Sequence, residues 1–289
     1  MQSSLMQSSR EYSVRLAFLR TAIVLSVLAL AACSSDDDDG GGSDDNASPP
    51  IDMAGTTVFA TVLSSSQQVP PLNVEGAAGA VDLTFDTVTG AVSGTVTATG
   101  PATAAHIHLA AAGSNGPPIV TLVKSDTDES FSPPADDPLS QAEIAALENG
   151  ELYVNVHTEA NVGGEVRAQL IPAGVLFSQT ELSGDKQIPV VVTTGSAQGI
   201  TTVVEASGEI RAAVFTTGLE TADAAHIHTG TAAESGDVLL DLVADADGVW
   251  RTQEGALLDA AGIAAFKAGG LYFNVHTPDN AAGEVRGQL

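Results

Sequence analysis

Histidine is confined to a few short stretches of this sequence, and the first of them has the spacing of a metal site. His106 and His108 are separated by one residue, and His157 follows in an apolar stretch further along the chain. Two imidazoles at i and i+2 on one strand, with a third from another strand, can surround a cation at about 2.0–2.1 Å, the distance for zinc. Imidazole-rich sites also suit copper, iron and nickel. The pattern predicts a transition-metal site, for which we expect copper or zinc.

The remaining histidines repeat this array. Strand alternation places polar side chains on the same face as the histidines, opposite the apolar rows of the core. A carboxylate such as Glu165 can orient an imidazole through the ring nitrogen that does not bind the metal. Asn155 lies on the same face as the histidines. Arg167 can guide an anion to an open coordination position. The same set of residue types recurs further along the chain as His226, His228, His276, Asn274, Glu284 and Arg286.

The same residues have a structural interpretation. They can form a hydrogen-bonded polar cluster that fixes strand register, with the histidines satisfied by Asn, Glu and backbone carbonyls. Glu165 and Arg167 can likewise be an ordinary surface ion pair, which contributes about 0–1 kcal/mol. The sequence leaves both interpretations open.

A tandem duplication carries these motifs. Each copy begins with Gln-hydrophobic-Pro, at 68–70 and 187–189, and ends with Gly-Glu-Val-Arg-x-Gln-Leu, at 164–170 and 283–289. The sequence therefore predicts one domain over residues 55–172 and a second over residues 173–289.

Short β-rich segments separated by turn residues fill each copy. Residues 79–85, 91–98 and 152–157 are examples in the first copy, and this pattern is typical of an antiparallel sandwich or barrel. One helix interrupts the strands: Ser140 and Glu143 form a capping box at its start, and glycine follows its end. Its counterpart is expected from Leu258 to Ala268. The predicted fold class is all-β, with two tandem β-sandwich domains that each contain one short helix.

The N-terminal part of the chain is interpreted as an export signal followed by a tether. Residues 1–32 contain a basic region, an apolar stretch and small residues before Cys33. This segment resembles a bacterial lipoprotein signal, which implies that Cys33 is lipidated and anchors the protein to a membrane. An ordinary secretory signal is the alternative. Residues 33–54, rich in Asp, Gly and Ser, are expected to be an acidic tether, and Ser34 favours the outer membrane in this resemblance.

The charge of the chain excludes one class of partner. It contains 10 Lys and Arg against 36 Asp and Glu, a net charge of −26. Nucleic acids are bound by cationic side chains that replace condensed counterions, so we expect no nucleic-acid partner. No Ser/His/Asp spacing recurs in both copies, and no cysteine besides Cys33 exists for thiol catalysis. We therefore assign no catalytic residue and favour a protein that is not an enzyme.

The recurring motifs resemble the CHRD family, first described in chordin. The resemblance covers residues 56–289 and rests on features that recur in order: the Gln-hydrophobic-Pro opening, Ala-Ala-His-Ile-His, the short helix, Leu-Tyr-hydrophobic-Asn-Val-His-Thr, and the Gly-Glu-Val-Arg ending. It implies a β-sandwich for each copy. It leaves an adhesive or scaffold protein that binds an extracellular protein or glycan as the alternative to metal binding.

The histidine pattern also resembles copper–zinc superoxide dismutase. That resemblance implies that His106, His108 and His157 are copper ligands and that Arg167 guides the anion. However, no histidine lies between His108 and His157 to bridge two metals, and the cysteines of the dismutase disulfide are missing. A copper-dependent dismutase-like activity is therefore a further alternative, restricted to a single copper ion in each domain.

Overall fold

The computed structural model describes residues 55–289 with the exception of 246 and 247. The predicted signal peptide, the tether and Cys33 lie outside the described residues.

Antiparallel β-strands make up about half of the described chain and far exceed its helices. The strands of the first domain are β1 (Thr56–Ser64), β2 (Ala78–Asp86), β3 (Val92–Ala98), β4 (Ala102–Leu109), β5 (Pro118–Thr121), β6 (Val123–Lys124), β7 (Ser130–Ser132), β8 (Leu152–Thr158) and β9 (Val166–Leu170). Those of the second are β10 (Val175–Ser183), β11 (Ser196–Val204), β12 (Ile210–Thr217), β13 (Ala224–Thr229), β14 (Val238–Ala244), β15 (Trp250–Thr252), β16 (Leu271–Thr277) and β17 (Asn280–Gln288). The predicted all-β class is confirmed.

The strands of the second domain close into a barrel in the order β10-β11-β12-β15-β14-β13-β16-β17. The first domain has the order β5-β4-β8-β9-β1-β2-β3-β7-β6, which is the same cyclic arrangement opened at one place. The opening falls at buried Leu122, where the counterpart of β14 is divided into β5 and β6. The strands that carry the histidine motifs, β4 and β8 in the first domain and β13 and β16 in the second, therefore occupy equivalent positions.

The core of each domain lies inside its curved sheet and is built by strand alternation. Leu83, Ile107 and Val154 of the first domain are fully buried, as are Ile227 and Phe273 of the second. Burying such a side chain contributes about 1.5–3 kcal/mol. Side chains next to these in sequence point outward, which puts His106 and His108 on the outer surface of the sheet.

Each domain has one short helix between two strands, α1 (Gln141–Glu148) between β7 and β8 and α2 (Ala260–Lys267) between β15 and β16. At α1 the predicted capping box is confirmed, since the Ser140 hydroxyl accepts from the amide of Glu143 and the Glu143 carboxylate accepts from Ser140. The second helix begins later than the predicted Leu258. Asp259 is its N-cap and accepts from the amide of Gly262. Leu258 is instead bound to the carbonyl of Gly208.

Both domains belong to one compact unit, Asp52–Leu289. Within the part of the chain that the structure describes, neither helix is long and apolar enough to cross a bilayer.

Candidate metal centre

Strands β4 and β8 bring the histidines of the first domain together on the outer face of the sheet. In their antiparallel register, His106 lies opposite Asn155, His108 opposite Tyr153, and Ala104 opposite His157. Neighbouring positions on one face of two paired strands are close enough for their side chains to touch. The spacing of the motifs along the chain is therefore converted into contact by the pairing of these two strands.

The three imidazoles converge. One ligand atom from each of His106, His108 and His157 lies within 4.8 Å of the others. Nδ1 of His106 is 2.9 Å from Nε2 of His157. The rings of His106 and His108 meet edge to face at 5.5 Å between centroids. The sequence prediction that these residues form one cluster agrees with this geometry.

Backbone carbonyls set the orientation of two rings. Nδ1 of His108 donates to the carbonyl of Gly116 at 2.9 Å, and Nδ1 of His157 donates to that of Val162 at 3.0 Å. Each of these bonds places the proton on Nδ1 and leaves the lone pair on Nε2, directed into the cluster. An N–H anchored in this way is the usual companion of a metal-ligating imidazole.

Nε2 of His108 is buried and has no hydrogen-bond partner among the described residues. A buried nitrogen lone pair without a partner is unfavourable unless a further group binds it. Burial lowers the pKa of His108, and burial together with the nearby His157 lowers the pKa of His106. Both rings are therefore neutral near pH 7 and can act as ligands.

Tyr153 and Arg167 form a stack behind His108. The Tyr153 ring is parallel to the imidazole at 4.8 Å between centroids, and the guanidinium carbon of Arg167 is 3.5 Å from the centroid of the tyrosine ring. An arginine over an aromatic face is held by a cation–π interaction. The stack fixes the plane of the His108 ring.

The contacts of Arg167 differ from those expected of an anion guide. The side chain is 1% exposed, and burial lowers its pKa to about 10, so it remains charged at neutral pH. It donates to the carbonyl of Ser114 at 2.8 Å, to that of Ala111 at 3.4 Å, and to the side chain of Gln169 at 2.7 Å. These bonds tie Arg167 to the loop at residues 110–116.

The other predicted polar residues also bind protein groups. Asn155 accepts from Gln68 at 2.7 Å and donates to the carbonyl of Gly163. Glu165 accepts from Thr158 at 2.6 Å and from Asn161 at 3.0 Å. Glu165 therefore fastens the turn between β8 and β9, and the orientation of imidazoles that we expected from it is supplied by backbone carbonyls.

The second domain reproduces this centre. His226, His228 and His276 converge within 4.8 Å, and the hydrogen bond between His226 and His276 is 3.0 Å long. Nδ1 of His228 donates to Gly236 at 3.1 Å, and Nδ1 of His276 donates to Ala281 at 3.1 Å.

The supporting side chains of the second domain repeat as well. Arg286 lies 3.5 Å from the Tyr272 centroid, Asn274 accepts from Gln187 at 2.6 Å, and Glu284 accepts from Thr277 at 2.5 Å. One neighbour differs: Nε2 of His226 is 3.5 Å from the carboxylate of Asp241, whereas Thr121 lies opposite His106.

Sequence reasoning missed Tyr153 and Gly116, although both recur, as Tyr272 and Gly236. Gly116 is required by space, since a Cβ there would lie 1.8 Å from the carbonyl oxygen of Leu109. The Tyr153 hydroxyl accepts from the amide of Gly116 at 3.2 Å. The signal available in the sequence was a glycine at the same distance after each His-Ile-His.

The sequence matches the family description "CHRD domain" twice, at residues 59–170 and 178–289. The chain belongs to the CHRD domain family. Its two tandem CHRD domains together cover more than half of its length, which confirms the resemblance noted from the motifs. No curated protein and no solved structure matches the chain.

Proposed function

We propose that this protein is an extracytoplasmic lipoprotein whose CHRD domains each bind one transition-metal ion, copper or zinc, through three histidines. The observation that carries the proposal is the convergence of three imidazoles around a buried Nε2 of His108 that has no partner among the described residues. The second domain repeats it at Nε2 of His228.

The donor set suits a borderline metal ion. Imidazole nitrogens are preferred ligands of zinc and copper. The carbonyls of Gly116 and Val162 already direct two lone pairs into the cluster, so little reorganisation of those rings is required. A net charge of −26 also raises the local concentration of cations around the protein.

One contact favours the structural alternative. Because Nδ1 of His157 donates to Val162, its Nε2 accepts from Nδ1 of His106, and this bond satisfies both nitrogens without a metal. It does not satisfy His108 Nε2. Metal binding would move the proton of His106 from Nδ1 to Nε2. In the second domain the corresponding atom, Nε2 of His226, lies 3.5 Å from the carboxylate of Asp241.

The lipid anchor is proposed from the sequence. Cys33 follows the apolar stretch of residues 1–32 and precedes an acidic tether. Lipidation there would hold both domains at a membrane surface. Ser34, the residue after the cysteine, favours the outer membrane. Labelling with a radioactive fatty acid, compared between the native chain and Cys33→Ala, tests this part independently.

The metal proposal is tested by elemental analysis of the chain from residue 34, purified without an affinity tag, loaded with zinc or copper and desalted. We expect close to one equivalent per domain. The triple variant H106A/H108A/H157A is expected to lose the equivalent of the first domain and to keep that of the second.

A single substitution separates metal binding from the structural cluster. His108→Ala leaves the bond between His106 and His157 in place and removes the unpartnered Nε2 together with the Nδ1 that donates to Gly116. We expect it to abolish loading of the first domain. Substoichiometric metal in the unmodified protein, or unchanged loading in H108A, would contradict the proposal and direct attention to protein or glycan partners.

A further inference from the structure

The loop that supplies the carbonyl partner of His108 lies at the junction of the two domains. We call residues 110–116 site loop 1 and their counterparts, residues 230–236, site loop 2. Within its own domain, site loop 1 is bound by Arg167 at the carbonyls of Ala111 and Ser114, and by Gln169 at that of Ala110. Site loop 2 is bound by Arg286 at the carbonyls of Thr231 and Glu234, and by Gln288 at that of Gly230.

Site loop 1, unlike site loop 2, is also bound by the neighbouring domain. Nη1 of Arg251 donates to the carbonyl of Gly113 at 2.6 Å and to the hydroxyl of Ser114 at 3.2 Å. Ser114 thus receives Arg167 from the first domain on its carbonyl and Arg251 from the second on its hydroxyl. The loop is therefore held from both sides at the same residue.

Apolar packing completes the junction. Ala112 of site loop 1 is buried in a cluster with Ile200, Ala213 and Phe215 of the second domain. Gly113 approaches that domain so closely that a Cβ there would lie 2.6 Å from the Cβ of Ala213. The absence of a side chain at Gly113 allows the backbone of site loop 1 to lie directly on β12.

The face of the second domain that contacts site loop 1 has no equivalent in the first domain. Strand registers make Ile200, Ala213, Phe215 and Arg251 the counterparts of Asp82, Thr95, Thr97 and Ser132. All four residues of the first domain are polar and exposed. The first domain therefore has neither the apolar surface nor the arginine needed to receive such a loop.

Site loop 2 lacks this support. Residues 231–236 are exposed throughout, whereas Ala112 and Gly113 are buried. Nη1 of Arg286 also has no hydrogen-bond partner among the described residues, while Nη1 of Arg167 is bound to Ser114. The loops thus share their internal anchors and differ in the clamp from a neighbouring domain.

We infer that the second domain completes the histidine site of the first: Arg251, together with the apolar face at Ile200, Ala213 and Phe215, fixes site loop 1 and with it the carbonyl that orients His108. Arg251 is a positioning residue that acts through the loop and contacts no histidine. The inference rests on the proposed function for its consequence, which is that the first site binds zinc more tightly than the second. A preorganised site loses less conformational freedom on binding.

The test replaces Arg251 by serine, the residue that the first domain has at this position. In the metal-free chain from residue 34, we expect Arg251→Ser to accelerate amide hydrogen exchange in residues 112–116 by about tenfold and to leave residues 231–236 unchanged. With the second site removed by H226A/H228A/H276A, R251S is expected to weaken zinc binding at the first site by roughly tenfold in a chelator competition titration.

Two controls separate the loop from the junction as a whole. Arg211→Ser removes an arginine that pairs with Glu151 across the same junction but makes no hydrogen bond to site loop 1 among the described residues, and it should leave both readouts unchanged. Arg251→Lys keeps a cationic donor and should restore part of the zinc affinity. Unchanged exchange in R251S would overturn the inference, as would equal losses in R251S and R211S.

Failure of the proposed function gives a different result. If the unmodified chain binds no zinc in either domain, the metal proposal is overturned together with the affinity difference. Faster exchange of residues 112–116 in R251S would then still support the positioning of the loop by the second domain, because that measurement uses no metal.

Discussion

The histidine sites of the two domains agree contact by contact, whereas the outer faces of β2 and β3 differ from those of β11 and β12. The hydrogen bond between the first and third histidines is 2.9 Å in one domain and 3.0 Å in the other, and both arginines lie 3.5 Å from their tyrosine rings. By contrast, exposed Asp82 corresponds to Ile200, which is 2% exposed.

This difference follows from the geometry of a tandem pair. The contacts of each site are made within one domain, so the same residues give the same site in both copies. A pair has a single internal junction, and only one of the two equivalent faces is covered there. An apolar face is favourable where it is covered and costs solubility where it is exposed.

The largest effect is expected from installing the first domain's residue in the covered face. Ile200→Asp buries a carboxylate against Ala112 and Phe215, so the junction opens instead of accepting the charge. We expect the free energy of unfolding to fall by about 3 kcal/mol. Small-angle scattering should show a longer particle.

The reverse change, Asp82→Ile, is the matched control for that experiment. Because Asp82 is exposed, D82I should change the free energy of unfolding by less than about 0.5 kcal/mol. An unchanged particle length in I200D would show that the apolar face does not hold the domains together.

Removing the stacked arginines compares the interiors of the two sites. Arg167→Ala leaves the carbonyls of Ser114 and Ala111 without this donor and should lower the free energy of unfolding by about 2–3 kcal/mol. Arg286→Ala should cost less, since Nη1 of Arg286 has no partner among the described residues to lose.

The single tryptophan identifies which domain responds. Trp250 lies in the second domain, so its fluorescence follows that domain while circular dichroism follows both. We expect R286A to shift the urea midpoint seen by fluorescence. R167A should shift the circular dichroism midpoint more than the fluorescence midpoint, and the opposite order would refute the comparison.

A smaller effect is expected at the one neighbour that distinguishes the histidine clusters. The carboxylate of Asp241 lies 3.5 Å from Nε2 of His226 and is 74% exposed, so solvent screens its interaction. Asp241→Thr should weaken zinc binding at the second site by roughly threefold, and Thr121→Asp should strengthen the first site similarly. Competition titrations on variants with one site intact measure both, and changes of the same sign would contradict the prediction.

The smallest effect concerns acid stability, which should be shared by both domains. Burial lowers the pKa of His106, His108, His226 and His228 below the usual value of 6.5. The unfolded chain then binds more protons than the folded chain below about pH 6.5, so stability decreases as the pH falls through that value.

Urea midpoints of the metal-free protein between pH 7.5 and 5 measure this acid dependence. Exposed carboxylates with lowered pKa, such as those of Asp86 and Asp128, lose their contribution to stability only at lower pH, about 4. The variant H108Q/H228Q should show a weaker dependence of its urea midpoint on pH between pH 7.5 and 5. A flat profile in the native protein would contradict the assignment of buried neutral imidazoles.

Much of the fold could be predicted because it depends on local patterns. Alternation along β4 and β8 predicts which side chains face the core, and burial of Ile107 and Val154 agrees with it. The capping box at Ser140 is a contact between residues three apart, so it can also be predicted from the sequence. The predicted start of α2 at Leu258 was wrong, because Leu258 fits the helical pattern although Asp259 is the N-cap.

The histidine cluster could be predicted only in part. Repetition of His-Ile-His and Val-His in both copies identifies its members. The roles expected for Glu165 and Arg167 depend on loops that fold over the sheet, and these bring Thr158, Asn161 and Ser114 to them instead. Backbone carbonyls orient the imidazoles, and a carbonyl has no side-chain signal in a sequence.

The duplication, the all-β class, the inward and outward faces of the strands and the members of the histidine clusters follow from the sequence alone. Strand periodicity and short-range caps are local, and local interactions can be predicted from neighbouring residues. The contact of Arg251 with Gly113 and the packing of Ile200 on Ala112 depend on the tertiary structure. Those residues are far apart in the chain, and their contact depends on how two complete domains pack against each other.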